Sequence, residues 1–198
     1  MIYNSALAND PALDNLEPVS HVVAGRIRAF QHDLSSLRRL PTPYKACGVI
    51  YGEPPFDKPG ERAFRERAGA EADSGFGFVK ALRSVSGPMV LLGGAPLAAA
   101  MPPPDDLMKI RVDGSGKRGQ GVQMRAFAWG LKLPPPHQVS HSTHLIDWLA
   151  RRYGCIGDPF CGYGHTGMIA VPHAEVVLSD INPRCIAYIA ANALSWQT

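Results

Sequence analysis

The stretch GDPFCGYGHTG, residues 157–167, contains three glycines in the spacing G-x-G-x-x-G. A loop of this kind joins a strand to a helix and lets the backbone approach a ligand closely. A dinucleotide-binding fold normally begins with this loop and needs further strand-helix units after it. Here only residues 168–198 follow. The spacing alone is therefore weak evidence for a dinucleotide.

The residues around the glycines are more informative about the ligand. Asp158 and Phe160 flank the start of the turn, and Asp180 closes the next apolar segment. Glycines permit close backbone approach, amides at a helix start receive a carboxylate, and an acid at a strand end binds a ribose diol. Together these features favour a nucleoside joined to an amino acid, which is S-adenosylmethionine.

Short apolar runs alternate with amphipathic segments along the chain, which predicts an α/β fold with a mostly parallel sheet and helices on both faces. The segments DLMKIRV and VQMRAFAW lie on either side of the glycine-rich stretch DGSGKRGQG, and they predict an antiparallel hairpin at 107–128. Residues 1–198 are expected to form one domain, with 102–136 as a basic excursion. Strands are expected at 24–33, 46–56, 87–94, 155–160 and 174–180, and helices at 34–40, 76–85, 142–154 and 183–194.

Composition sets broad limits on function. The formal net charge of +3 over 198 residues permits an anionic partner without requiring one. The four cysteines lack Cys-x-x-Cys spacing, so we expect reduced, mostly buried thiols and no metal site. No basic start precedes an apolar run, and no apolar stretch reaches membrane-spanning length. These features favour a cytoplasmic protein without membrane association.

A family resemblance rests on several segments in order. GDPFCGYGHTG resembles the D-P-F-x-G-S-G-T-T cofactor motif of amino-methylating DNA methyltransferases, and LSDINPRCIAYIAANA is similar to the segment after it. In one circularly permuted branch the catalytic D-P-P-Y motif comes first, and this chain has GEPPF at 52–56, preceded by FQHDLSSLRRLP. The resemblance covers roughly 24–194 and implies a permuted Rossmann-like class I methyltransferase sheet.

The resemblance implies a set of residues that bind S-adenosylmethionine. Asp33 corresponds to an acid near the adenine amine, although it could equally cap the segment after it. Asp180 corresponds to the acid at the ribose, with a helix-capping acid as the alternative. For the glycine turn, the alternative is an ordinary strand-to-helix connection. The implied set is Asp33, Asp158, Phe160, Gly162, Gly164 and Asp180.

The implied catalytic residues are Glu53, Pro54, Pro55 and Phe56. An acceptor side chain and a backbone carbonyl would hold the two N–H bonds of an exocyclic amine while an aromatic ring stacks on the base. The family has Asp, Asn or Ser where this chain has Glu53. A displacement of about 1 Å can cost about a hundredfold in rate. Either the pocket compensates, the substrate differs or activity is lost; alternatively, the segment is a Pro-Pro turn.

DNA is the partner that the resemblance implies, with the target base flipped out or already single-stranded. Basic residues of the predicted hairpin could contact phosphates, or they could be a solvated surface. We expect methylation of adenine N6 ahead of cytosine N4, with RNA or another amine as the runner-up and an inactive binding paralogue as a third possibility. A separate partner could supply sequence specificity. The basic candidates are Lys109, Arg111, Lys117, Arg118 and Arg125.

Overall fold

The computed structural model describes residues 19–55, 62–63, 65–66, 68–70, 76–112 and 122–197. The predicted site residues Phe56, Lys117 and Arg118 lie outside these ranges. The strands of the described part are β1 (His21–Ala24), β2 (Ile27–Gln31), β3 (Val49–Gly52), β4 (Met89–Gly93), β5 (Asp106–Val112), β6 (Val122–Trp129), β7 (Cys155–Asp158) and β8 (Glu175–Asp180).

Short helices connect these strands. The α-helices are α1 (Val79–Leu82), α2 (Ala95–Ala100), α3 (Ser142–Tyr153), α4 (His165–Ala170) and α5 (Pro183–Asn192). Among the described residues, 3-10 helices span Leu34–Ser36, Thr42–Ala46 and Ser195–Gln197. The predicted helix at 34–40 is wrong in extent, because extended backbone resumes at Leu37. Helix α2 was not anticipated, since its Pro and Ala residues follow two glycines.

The strands of the described residues form one sheet in the order β1-β2-β8-β7-β3-β4-β6-β5. The five central strands, which lie in the order β2-β8-β7-β3-β4, are parallel to their neighbours within this group. Strand β6 is antiparallel to both β4 and β5. The predicted mostly parallel sheet with an antiparallel hairpin is therefore confirmed. The single strand expected at 24–33 is wrong, because the chain turns at Gly25, with φ of +53°, and pairs β1 with β2.

Helices cover both faces of the sheet, as its sequence pattern predicts. On one face, Leu145 and Leu149 of α3 and Ile186 of α5 join the core. On the other face, Leu82 of α1 and Leu97 of α2 pack with residues of the 3-10 helices. Strands β3 and β4 are buried along their whole length, which explains their unbroken apolar runs.

The parallel strands bring their carboxyl ends to one edge of the sheet. Gly52, Asp158 and Asp180 end β3, β7 and β8 at this edge. The antiparallel hairpin reaches the same edge, because Arg125 of β6 pairs with Gly93 at the end of β4. Within the described ranges, no helix is both long and apolar enough to cross a membrane.

Candidate functional site

A cavity opens at the carboxyl edge, between the ends of β3 and β7. The chain continues from β7 to β8 on one side of this point and from β3 to β4 on the other. Ligands of open α/β sheets bind at such a change of direction. Residues from both predicted loops line the cavity, together with residues after β2 and β8. The lining is His32, Asp33, Leu34, Ser35, Pro55, Arg65, Phe78, Pro159, Phe160, Asp180 and Ile181.

Asp158 holds the start of the glycine turn. Its Oδ1 accepts a hydrogen bond of 2.9 Å from the amide of Phe160, and its Oδ2 accepts one from the hydroxyl of Thr166. The side chain is 3% exposed. Burial raises the pKa of Asp158 to about 7 against these hydrogen bonds, and the nearby charge of Glu53 adds to the rise. Asp158 thus shapes the turn from beneath the cavity.

Asp180 ties the glycine turn to the start of α5. Its two carboxylate oxygens accept hydrogen bonds of 2.9 Å from the amides of Gly162 and Asn182. Burial raises the pKa of Asp180, and the hydrogen bonds from the amides of Asn182 and Gly162 oppose the rise. The capping residue of α5 is Asn182, which accepts from the amide of Arg184. Asp180 therefore lines the cavity while bracing the turn.

The two predicted glycines of the turn both adopt left-handed backbone, with φ of +53° at Gly162 and +84° at Gly164. A Cβ on Gly164 would lie 2.6 Å from the ring of Trp196 and 2.9 Å from Ile189. L-residues with side chains disfavour this conformation. Gly164 is thus required by the turn and by the packing of Trp196 beneath it.

Gly157 makes room for a tyrosine that supports β7. A Cβ at this position would lie 2.6 Å from the ring of Tyr44. The hydroxyl of Tyr44 donates to the carbonyl of Asp158 at 3.2 Å and shares a hydrogen bond of 2.7 Å with the hydroxyl of Ser179. Tyr44 therefore links the ends of β7 and β8 on the face of the sheet that α1 and α2 cover.

Asp33 lies at the edge of the cavity and caps the 3-10 helix at Leu34–Ser36. Its Oδ1 accepts from the amide of Ser35 at 2.9 Å and from the guanidinium of Arg65 at 3.1 Å. Arg65 is 9% exposed and also donates to the hydroxyl of Ser35 at 2.7 Å. Burial alone raises the pKa of Asp33, but the bonds from Arg65 and Ser35 outweigh it and leave the pKa below its ordinary value.

Of the predicted catalytic residues, Pro55 lines the cavity. Glu53 is 4% exposed, and its Oε1 accepts a hydrogen bond of 2.6 Å from the hydroxyl of Tyr51. Burial raises the pKa of Tyr51, as does the charge of Glu53. Glu53 does not line the cavity, because its carboxylate is held on the face of β3 that carries Tyr51.

Phe160 contributes an aromatic wall. Its ring meets Phe78 edge to face, with ring centroids 5.1 Å apart and an interplanar angle of 75°. A Cβ on Gly52 would approach the Phe160 ring to 3.0 Å, so the glycine lets the ring pack against the end of β3. The two predicted loops thus touch each other through Gly52 and Phe160.

The three predicted basic residues of the hairpin that the structure describes lie close together at the same edge. Lys109 of β5 pairs directly with Arg125 of β6, and Arg111 pairs with Gln123. Like charges directly opposite each other destabilise a sheet. A groove of about 430 Å³ runs beside Lys109 and Arg125 and reaches Gly93 at the end of β4.

Sequence reasoning did not identify three residues of this site. Tyr51 stands two positions before Glu53, so the two-residue repeat of a strand could have placed them on one face. Thr166 follows the turn and could have been considered as a partner for Asp158. Arg65 pairs with Asp33 across 32 positions, and no local pattern signals that contact.

Comparisons with known proteins give structural likeness alone. No protein-family model and no curated protein matches the sequence significantly. The crystal structure of the M1.HpyAVI–SAM complex has 13% sequence identity and a TM-score of 0.48, covering 85% of this chain and 98% of that chain. TTHA0409 from Thermus thermophilus, to which DNA modification methylase function is ascribed, was solved with S-adenosyl-L-methionine. It has 15% identity and a TM-score of 0.48, covering 82% of this chain and 89% of that chain.

Proposed function

We propose that the protein transfers a methyl group from S-adenosylmethionine to an exocyclic amine of DNA, adenine N6 ahead of cytosine N4. The observation that carries the proposal is the meeting of the Pro54–Pro55 segment and the glycine turn at one cavity. These segments are about 100 residues apart in the chain, yet they end neighbouring strands at the point where the sheet changes direction.

The topology supports a circularly permuted arrangement. Numbered from β7, which precedes the glycine turn, the strands β7, β8, β2, β3 and β4 stand in the order 3-2-1-4-5. That is the order of a doubly wound nucleotide-binding sheet. In such a sheet the glycine-turn strand comes first in the chain, whereas here β2, β3 and β4 precede it.

The groups at and beside the cavity fit the chemistry of S-adenosylmethionine. Asp180 offers a carboxylate at the end of β8 for a ribose, and Phe160 offers an aromatic wall; both residues line the cavity. The turn at Gly162, whose amide is bonded to Asp180, offers close backbone approach. The enclosed volume is only about 50 Å³, whereas sites that hold small molecules have volumes of about 300–1,000 Å³. Binding therefore requires the cavity to widen, and Arg65 is the buried side chain whose displacement would open its Asp33 end.

S-adenosylmethionine supplies an electrophilic methyl group on a sulfonium. The protein must hold an amine whose lone pair is delocalised into the base ring. The carbonyl groups of the Pro54–Pro55 segment are fixed by their prolines and can accept one N–H bond. The Glu53 carboxylate can accept the other N–H bond when it turns from Tyr51 toward the cavity. Orientation of the amine is thus the work of the end of β3.

The basic hairpin supports DNA as the substrate. Lys109, Arg111 and Arg125 stand at the same edge of the sheet as the cavity, separated from it by β4. Phosphate contacts by such residues fix the position of a strand without reading its sequence. A strand that crosses this edge would present a flipped or unpaired base to the segment after β3.

The test is methyl transfer from isotopically labelled S-adenosylmethionine to unmethylated DNA, with products identified by nucleoside mass spectrometry. We expect labelled N6-methyladenine from the native protein. Glu53→Ala should abolish it, and Glu53→Asp should raise turnover if the longer side chain detunes the reaction. Labelled N4-methylcytosine instead of N6-methyladenine would make cytosine the target base. In a parallel incubation with RNA, label in RNA but not in DNA would make RNA the substrate.

A second candidate is a module that binds cofactor or nucleic acid without catalysis. The buried hydrogen bond from Tyr51 to Glu53 favours it, because the carboxylate is drawn away from the cavity. In that case S-adenosylmethionine binds by calorimetry, binding survives Glu53→Ala, and no methylated nucleoside forms in either protein.

A further inference from the structure

We propose that Cys47 and Cys155 form a reversible intramolecular disulfide when the folded protein meets a small disulfide oxidant such as oxidised glutathione. Both cysteines are free thiols, and they lie at the amino edge of the sheet, opposite the cavity. The inference is independent of the proposed methyl transfer, because its readout is a covalent bond.

The register of the sheet brings the two cysteines together. Val49 pairs with Ile156, and the amide of Gly48 donates to the carbonyl of Cys155 at 3.1 Å. Gly48 therefore lies opposite Cys155, and Cys47, one residue earlier, lies diagonally across from Cys155 on the neighbouring segment. With strands ~4.8 Å apart and a rise of ~3.3 Å per residue, a diagonal pair has Cα atoms roughly 6 Å apart. Disulfides bridge Cα atoms separated by about 4.4–6.8 Å.

The side chains also lie on the same face of the sheet. Both cysteines pack against the same core cluster, and the Cys47 thiol donates to the carbonyl of Pro43 at 4.0 Å. The pKa of Cys155 is lowered, chiefly by its interaction with the neighbouring Cys47 side chain. The same interaction raises the pKa of Cys47, and burial raises it further. Cys155 is therefore the thiol that attacks first.

Accessibility separates this pair from the other cysteines. Cys47 and Cys155 are partly exposed, and Cys47 lines a groove of about 600 Å³ through which a small oxidant can approach. Cys161 and Cys185 are buried, and burial raises the pKa of both thiols. Buried thiols of this kind are inert toward disulfide reagents.

The reaction consists of two thiol–disulfide exchanges. The Cys155 thiolate attacks one sulfur of oxidised glutathione, and one glutathione thiolate leaves. Cys47 then loses its proton to solvent and attacks Sγ of Cys155, which releases the second glutathione thiolate. Two protein thiols are oxidised, and one glutathione disulfide is reduced to two glutathione molecules.

The bond would fasten the segment that supports the glycine turn. Cys47 directly follows the 3-10 helix Thr42–Ala46, whose Tyr44 donates to the carbonyl of Asp158. A disulfide to β7 holds this helix in place. We therefore expect oxidation to raise the melting temperature of the protein, with dithiothreitol reversing the change.

The native protein is treated with oxidised glutathione, and the product is identified by intact mass and non-reducing peptide mapping. The expected product has lost two hydrogen atoms and carries one cross-link, between Cys47 and Cys155. Cys185→Ala is the matched control and should give the same cross-link. Cys47→Ser should stop at a glutathione adduct on Cys155. Circular dichroism verifies that each variant is folded.

Three results would overturn the proposal. These are a native protein that keeps all its thiols, a stable glutathione adduct without a cross-link, or a cross-link between any other pair of cysteines. Alkylation rates with iodoacetamide provide a second measurement on the unmutated chain. Cys155 should react on the order of tenfold faster than Cys161 and Cys185, and equal rates would also contradict the proposal.

Discussion

The hydroxyl of Tyr51 donates a hydrogen bond of 2.6 Å to Oε1 of Glu53, and both side chains are buried. The two residues share a face because side chains two positions apart along an extended chain point the same way. The bond holds the acidic side chain of the E-P-P segment in a fixed position, directed away from the cavity. Tyr51 is therefore a positioning residue for Glu53.

Tyr51→Phe should destabilise the protein, because it removes the hydrogen bond and leaves the ring in place. Leaving a buried acceptor without its hydrogen bond costs about 1–3 kcal/mol. Urea unfolding measures this change in the free energy of unfolding. Tyr188→Phe, at a partly exposed position in α5, is the control and should stay within about 0.5 kcal/mol. Equal stability of Tyr51→Phe and the native protein would contradict the assigned bond.

Asp158 should make stability depend on pH. Its pKa is raised to about 7 in the folded state, whereas an unfolded Asp titrates near about 3.9. The folded state therefore binds more protons between these values, and stability falls as pH rises through that window, by at most about 4 kcal/mol. Urea unfolding at about pH 5 and about pH 8 measures the fall.

Asp158→Asn should remove most of this dependence, since the amide does not titrate. Asp180, whose pKa is also raised by burial, leaves a residual slope of the same sign. An undiminished pH dependence in Asp158→Asn would show that other groups cause it.

Arg65→Met should tighten the binding of S-adenosylmethionine if the cavity is the cofactor site. Widening the cavity breaks the Arg65 bonds to Asp33 and Ser35, each worth about 0.5–1.5 kcal/mol. A gain of about 1.4 kcal/mol corresponds to about tenfold in affinity. Calorimetry measures it, with the exposed Arg62→Met as the control. Weaker binding in Arg65→Met would mean that Arg65 holds the cofactor.

Lys109→Gln combined with Arg125→Gln should weaken DNA binding regardless of sequence and lower its salt dependence. Each lost phosphate contact reduces the slope of log affinity against log salt by about 0.9. Fluorescence anisotropy over a salt series measures the slope. The control is Arg151→Gln, in the last turn of α3 before the amino edge of the sheet. An unchanged slope of log affinity against log salt in the double variant would show that these hairpin residues are a solvated surface that does not contact DNA.

Much of the fold could be predicted because β3 and β4 are buried on both faces and therefore read as unbroken apolar runs. Edge strand β1 could not, since its four residues alternate between exposed and half-buried positions. The short helix α2 has no polar face long enough to show a helical period. Local patterns thus predict the central strands of the sheet but not its edge strand β1 or the short helix α2.

The same difference holds for the candidate site. The places of Asp158 and Asp180 at strand ends, and of Gly162 in the turn, could be predicted because strand ends and turns restrict residue types locally. The pairing of Arg65 with Asp33, and the small volume that accompanies it, depends on contacts between distant segments. The role of Gly164 in accommodating Trp196 is likewise visible only in the packed structure.

The most direct test of the central claim is a calorimetric titration of the native protein with S-adenosylmethionine, repeated with Asp180→Asn. We predict one binding site in the native protein and an affinity at least about tenfold lower in the variant, since Asp180 lines the cavity and accepts a hydrogen bond from the amide of Gly162. Absence of heat up to roughly millimolar ligand, where binding free energy is only about 4 kcal/mol, or unchanged affinity in Asp180→Asn, would contradict it.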